Sequence, residues 1–329
     1  MLAMFLSYQG LAQLGGQRSF EFLNVPGNAR LVGLGGVNVS LTDRDINFLW
    51  SNPALVGDTL AGYASAGYQF FVADIGQASF AYSHKFKSIG TVSFGVQHMN
   101  YGEITGYDPS GLELGSFKSG ETAIVISKSH QVANFRLGVN LKTVFSNIAG
   151  YRSSAMMVDL GGTFIHPTQN LTVGLTFKNL GFVMSEYSES SDTKVPFDIQ
   201  VGATFKPEHM PLRFSLTAYN LASAGDDYDN PDTEIDDLNS LDKIMSHVVI
   251  GTEILFHRNV NMLLAYNFLK GQELNTENSG GKGFSIGAAV KIKAFELVVS
   301  RSSYSVGNGA YSFTLNANIQ NMILKKRTI

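Results

Sequence analysis

From residue 61 onward, apolar positions alternate with polar or small ones at period two, the pattern of strands whose two faces meet different surroundings. Leu171-Thr172-Val173-Gly174-Leu175-Thr176-Phe177-Lys178 is the cleanest instance, and 135–142, 197–205 and 212–217 repeat it. The pattern predicts fourteen strands, near 61–68, 77–86, 90–99, 121–129, 135–145, 155–166, 171–180, 197–206, 212–221, 247–256, 260–269, 283–292, 295–303 and 310–319. At roughly 8–12 residues each, they match the ~9–11 that a tilted strand needs to cross a bilayer and exceed the globular mode of about 5–6.

The connections alternate in length. Short ones fall at Lys87–Ile89, His130–Asn134, Pro167–Asn170, Pro207–Pro211, His257–Asn259 and Lys293–Ala294. Between them come longer ones at 69–76, 100–120, 146–154, 181–196, 222–246, 271–282 and 304–309. Outer-membrane barrels place short turns on the periplasmic side and long loops outside, and only a closed barrel leaves no unpaired edge in lipid. The expected fold is all-β, a 14-stranded antiparallel transmembrane β-barrel with both termini on the short-turn side and the long loops facing outward. Phe70, Phe71, Tyr101, Phe182, Tyr219, Phe268 and Tyr304 lie near strand ends and read equally as interfacial girdles or as ordinary strand aromatics.

Two segments precede the barrel. Residues 1–12, an apolar run ending in small residues near Ala12 and lacking a basic start, read as the remnant of a secretory signal or as a buried first element. Residues 13–60 do not alternate; outside the barrel they would expose apolar surface, so they are expected to form a hatch inside the lumen. Its packing residues are expected to be Gly35 and Gly36 in the glycine-rich stretch, then Trp50, Asn52, Pro53 and Ala54; proline restricts the backbone of Asn52. The barrel is expected over 61–320, with 321–329 as a short periplasmic tail.

The glycine-rich stretch, an acidic turn and Asn52-Pro53-Ala54 before the first strand resemble the N-terminal hatch of FadL-type outer-membrane barrels, which have fourteen strands. More specifically, 18–30 (Arg18-Ser19-Phe20-Glu21-Phe22-Leu23-Asn24-Val25-Pro26-Gly27-Asn28-Ala29-Arg30), 34–41 and Asn47–Leu55 are similar to the PorQ branch of the PorV/PorQ family. The detailed match covers about residues 15–57; beyond it the similarity is architectural. The resemblance implies a component of the type IX protein secretion system of Bacteroidetes-type bacteria. Such a barrel sits in the outer membrane and holds a PorZ-like surface protein, within an attachment complex that includes PorU and PorV and joins cargo to anionic lipopolysaccharide. The wider FadL-type resemblance implies the rival function, transport of hydrophobic small molecules.

Composition removes other classes. Only 16% of the 329 residues are charged and 44% are hydrophobic, while the net charge of −3 offers no electrostatic reason to bind nucleic acid. With no cysteine there is no disulfide framework or thiolate site, and no apolar run reaches the 18 residues of a membrane helix. Gly33-x-Gly35-Gly36 puts Asn38 where a dinucleotide fingerprint needs its third glycine. Gly281-Lys282-Gly283 lacks the hydroxyl residue of a phosphate loop. Ser191/Lys194, Ser240/Lys243 and Ser279/Lys282 have acyl-enzyme spacing but lie in predicted loops. The seven histidines are scattered, so no enzyme and no cofactor is expected. The acidic stretch 226–237 reads either as a solvated outer loop or as a calcium or partner-docking site, with Asp226, Asp227, Asp229 and Asp232 as possible ligands. For a surface partner, the long loops would supply contact through Tyr107, Tyr187, Tyr228 and Asp229; a stable interface needs about 1,000 Å².

Overall fold

The computed structural model describes residues 19–223, 240–273, 282–305 and 308–320. Within them the chain forms β1 (Tyr63–Phe70), β2 (Gly76–Phe86), β3 (Gly90–Tyr107), β4 (Glu113–Val132), β5 (Phe135–Ile148), β6 (Tyr151–Ile165) and β7 (Leu171–Ser185). It continues with β8 (Asp198–Phe205), β9 (Leu212–Ala218), β10 (Val248–His257), β11 (Val260–Asn267), β12 (Phe284–Ile292), β13 (Phe295–Ser305) and β14 (Asn308–Asn318). Each strand pairs antiparallel with the next, and β14 returns to β1, closing a fourteen-stranded barrel. Among the described residues three short α-helices accompany it, α1 (Ala29–Gly33), α2 (Ser240–Ser246) and α3 (Phe268–Glu273). No described helix is long and apolar enough to cross a membrane.

Alternation places Phe94, Val96, Ile124, Ile126, Leu141 and Leu175 on the outer face, exposed to lipid, while Ser, Thr, Asn and Gln side chains point inward. The hydrophobic effect therefore acts on the outside of this sheet, and its inner face needs hydrogen-bonding partners.

Several long connections prove shorter than the sequence pattern suggests. Residues 100–120, expected as a loop, continue the β3–β4 ladder through Glu103↔Lys118 to Tyr107↔Glu113, leaving only 108–112 as the link. The register shifts between Asn100 and Glu103, and Gly102 and Gly115 have φ of 78° and 102°. A bulge breaks the period-two pattern without ending the pairing. Likewise 146–154 contracts to Ala149 and Gly150, both at positive φ, the geometry of a two-residue primed turn. Among the proposed girdle aromatics, Phe70 and Phe182 face out, whereas Tyr219 is buried and Phe71 and Tyr101 pack against the interior cluster.

Residues 19–60 occupy the lumen. α1 touches β11 to β14, the 3₁₀ turn Ile46–Trp50 touches β1 to β3, and the turn Pro53–Leu55 touches β4 to β6. A segment meeting walls on so many sides has the barrel around it. It brings its own apolar core: Phe20, Leu49 and Trp50 pack with Val125 and Met157, and Leu31, Leu34 and Phe48 pack with Leu263 and Val298.

Candidate functional site

The lumenal segment is too short in regular structure to satisfy its own backbone, and four buried side chains take over that task. Asn28 accepts from Leu31 N at 2.9 Å and caps α1. Asn38 accepts from Ser40 N and Leu41 N at 3.1 and 2.9 Å, Asp45 from Asn47 N at 2.9 Å, and Asn52 from Ala54 N at 2.9 Å. All four are at most 1% exposed. Asn and Asp suit this role because their short side chains reach a backbone N–H two or three residues on. α1 ends in a Schellman closure: Gly36 N donates to Leu31 O at 2.8 Å and Gly35 N to Val32 O at 3.1 Å. Gly35 and Gly36 sit at φ 85° and 96°, where a side chain would be strained.

The wall then holds the segment from nearly every side. Thr314 of β14 accepts from Ala29 N at 2.8 Å, and Asn316 accepts from Asn47 Nδ2 at 2.9 Å. Asn267 of β11 donates to Gly35 O at 3.0 Å, and Asn140 of β5 to Leu49 O at 2.8 Å. Thr204 of β8 shares a hydroxyl contact of 2.8 Å with Ser40. Asn52 is the most heavily used: while its oxygen organises Ala54, its Nδ2 faces Val39 O at 2.9 Å and Gly162 O of β6 at 3.3 Å. Pro53 lies so close to Gly138 and Gly161 that a Cβ at either glycine would overlap it.

A buried charge network completes the lock. Arg30, 3% exposed, meets Asp43 at 2.6 Å and Glu253 of β10 at 2.9 Å, with Asp45 at 3.9 Å. Arg213 of β9 meets the same Asp43 at 3.1 Å and also pairs with Glu253. Burial works against ionisation of Asp43, but Arg30 and Arg213 hold its carboxyl well below the usual carboxylate range. Asp45 goes the other way: burial, assisted by the field of Glu296, lifts it to about 6 against the pull of Arg30.

Arg213 and Glu253 belong to a wider series. On the lumen face, Lys142, Asp159, Lys178, Asp198, Arg213 and Glu253 come one from each of six successive strands, β5 to β10, with alternating sign. Lys142 pairs with Asp159 at 2.7 Å. Beside the plug a cavity of about 220 Å³ is lined by Trp50, Gln97, Lys142, Lys178 and Gln200, among others. The indole N–H of Trp50 has no hydrogen-bond partner among the described residues. The chamber is mixed in character: Leu23, Val25, Leu31 and Val37 line it together with the two lysines, and Lys142 is already paired with Asp159.

Of the residues singled out in the sequence, Gly35 and Gly36 lie at the end of α1, while Trp50, Asn52, Pro53 and Ala54 form the part of the plug packed toward β3 to β7. Tyr107 is exposed at the end of β3. Tyr187 is half-buried, donating to Ser146 Oγ at 2.6 Å and stacking on Phe20 at 6.5 Å. Tyr228, Asp226, Asp227, Asp229 and Asp232 lie outside the described residues. Among the described residues no group of three or more His, Asp or Glu is placed to hold a metal. Arg30, Arg213 and Glu253 escaped the sequence reading. The available signal was a lone charge at an inward position of an otherwise uncharged strand, as in Val248-Val249-Ile250-Gly251-Thr252-Glu253-Ile254-Leu255.

No family model matches the chain, and no curated protein matches it. Solved structures do. A deltaS2 mutant of the monoaromatic hydrocarbon channel TodX aligns with a TM-score of 0.51 and 11% identity, covering 89% of this chain and 98% of that one. A TodX deltaS2S3 mutant aligns at 0.50 and 11% identity, covering 88% and 97%. A FadL homologue of Pseudomonas aeruginosa aligns at 0.47 and 10% identity. At these identities the likeness to the two TodX structures is one of fold, and it agrees with the strand count and closure described above: the chain is a closed fourteen-stranded antiparallel β-barrel.

Proposed function

We infer that the protein works as a closed, non-enzymatic barrel of the outer membrane that anchors a surface partner. By the resemblance of residues 15–57, it is a component of the type IX secretion system holding a PorZ-like protein of the attachment complex with PorU and PorV. The observation that carries this reading is the locked lumen, with its plug bonded to β14, β11, β8, β6 and β5 and held by the Arg30–Glu253 network. An anchor has no need for a path through the barrel, and such a plug leaves the outer hairpins on a rigid base.

A second reading is favoured by the structural comparisons, which speak for it more than for the first: a channel for hydrophobic small molecules, as the TodX structures are titled. Transport would require the plug to move and an apolar guest to pass the chamber beside Lys142 and Lys178. Tagging the full chain in its native host, solubilising outer membranes in detergent and identifying what copurifies by mass spectrometry separates the two. Stoichiometric recovery of a PorZ-like surface protein is the expected result. A barrel recovered alone with a bound apolar ligand would overturn the anchor in favour of the channel.

A further inference from the structure

The outer surface of β3 to β6 carries a feature that the filled lumen does not explain. Asn100, Gly120, Asn147 and Arg152 stand in one cross-strand row, each in register with the next. The row beneath it is His98, Thr122, Phe145 and Ser154. Below these the same face turns apolar, with Val96 opposite Ile124 and Met156 beyond, all exposed to lipid. The two polar rows therefore mark the edge of the apolar belt on the side of the long connections.

At this edge lies an open groove of about 670 Å³. Gly120, which has no side chain, interrupts its upper row. Lys118, two residues farther along β4 and so on the same face, and Arg152 on β6 both line it and are both exposed. Neither forms an ion pair among the described residues. No acidic residue lines the groove. The acid in register with Lys118, Glu103, accepts from Ser116 instead. On the same face Asn100, Asn147 and Ser154 supply further polar side chains around the two cations.

We propose that this groove holds the phosphorylated headgroup of a membrane lipid, with Lys118 and Arg152 on the phosphate and the acyl chains lying over Val96, Ile124 and Met156. The chemistry fits at both ends. Arginine and lysine are the residues that bind phosphate oxygens, arginine in bidentate fashion, and cations at a membrane surface attract anionic lipid. The wall directly below is already a lipid-facing surface, so one molecule satisfies both parts of the site. A soluble anion would use only the upper half.

Native mass spectrometry of the detergent-purified full chain tests this, with diphosphorylated lipid A, its dephosphorylated form, phosphatidylglycerol and inorganic phosphate as probes. Diphosphorylated lipid A is expected to be retained about tenfold or more over the dephosphorylated form, with the difference lost in Lys118→Gln/Arg152→Gln. Lys291→Gln/Lys293→Gln, at the opposite rim, should keep it. Retention of phosphatidylglycerol with the same dependence also supports the site and points to a glycerophospholipid as the source. Equal retention of the dephosphorylated lipid, or unchanged retention in Lys118→Gln/Arg152→Gln, would overturn the proposal. So would inorganic phosphate binding as tightly as either lipid. Heat-modifiable migration of each variant checks that the barrel is intact.

Discussion

The side chain of Asn52 has one acceptor and one donor group, and the plug uses both: the oxygen takes Ala54 N, and the amide faces the carbonyls of Val39 and Gly162. Asn52→Ala leaves these buried groups without partners, a loss of about 1–3 kcal/mol for each group stranded. Asn52→Asp is expected to be worse near neutral pH, because it turns an oxygen toward carbonyl oxygens where a donor stood. Thermal unfolding in detergent should rank wild type above Asn52→Ala and Asn52→Asp lowest; an aspartate variant as stable as wild type would contradict the assignment. Asp45 gives a pH signature. Its folded value of about 6 lies above the ordinary carboxylate value near 4. Its contribution is therefore fully present below about 4 and lost as pH rises through 6, on the order of 3 kcal/mol in total. Asp43 has the opposite sense, present above the ordinary range and lost only in stronger acid, so it does not cancel Asp45 in this window. Unfolding temperatures measured from pH 4 to 7 should fall for the wild type and stay flatter for Asp45→Asn.

At the scale of elements, the segment and the wall fit through glycines. Gly161 on β6 and Gly138 on β5 leave room for Pro53, so that the turn Pro53–Leu55 seats directly on backbone. Gly161→Val should displace this turn while leaving the strand pairing intact, since glycine to valine suits a strand on its own. Limited proteolysis is the check: cleavage within 19–60 should rise sharply in the variant, and the barrel fragment should survive. Resistance equal to wild type would mean that the plug does not depend on this contact. Element by element, the strands were legible because period two survives wherever one face meets lipid and the other the lumen. The β3–β4 hairpin beyond Asn100 was not, because bulges at glycines of positive φ shift the pattern while the ladder continues. The plug was visible as a break in alternation with its Asn52-Pro53 turn, but nothing local announces that Asn28, Asn38 and Asp45 do the same work as Asn52.

For the whole molecule, the decisive property is what the barrel encloses. Six strands in succession each contribute to a row of inward charges that alternates in sign from Lys142 to Glu253. Arg30 of the plug joins the last two members to its own Asp43. A single charge in a strand reads as incidental in the sequence; it becomes part of a series only once closure and register set the strands side by side. Buried pairs of this kind are poor sources of net stability, yet breaking one is costly, about 3–5 kcal/mol, because it strands the partner. The network therefore favours one seating of the plug over others, and the backbone bonds around the wall hold it there beside the cavity of about 220 Å³.

The most direct test is to remove the plug's freedom to move. The chain has no cysteine, and Ser40 Oγ lies 2.8 Å from Thr204 Oγ1 of β8, so Ser40→Cys/Thr204→Cys offers a disulfide between plug and wall on a clean background. In the native host, the oxidised variant should retain its surface partner in the same stoichiometry as the wild type, before and after reductant. If oxidation abolishes the protein's function and reductant restores it, the plug must open, and the closed anchor gives way to a gated channel.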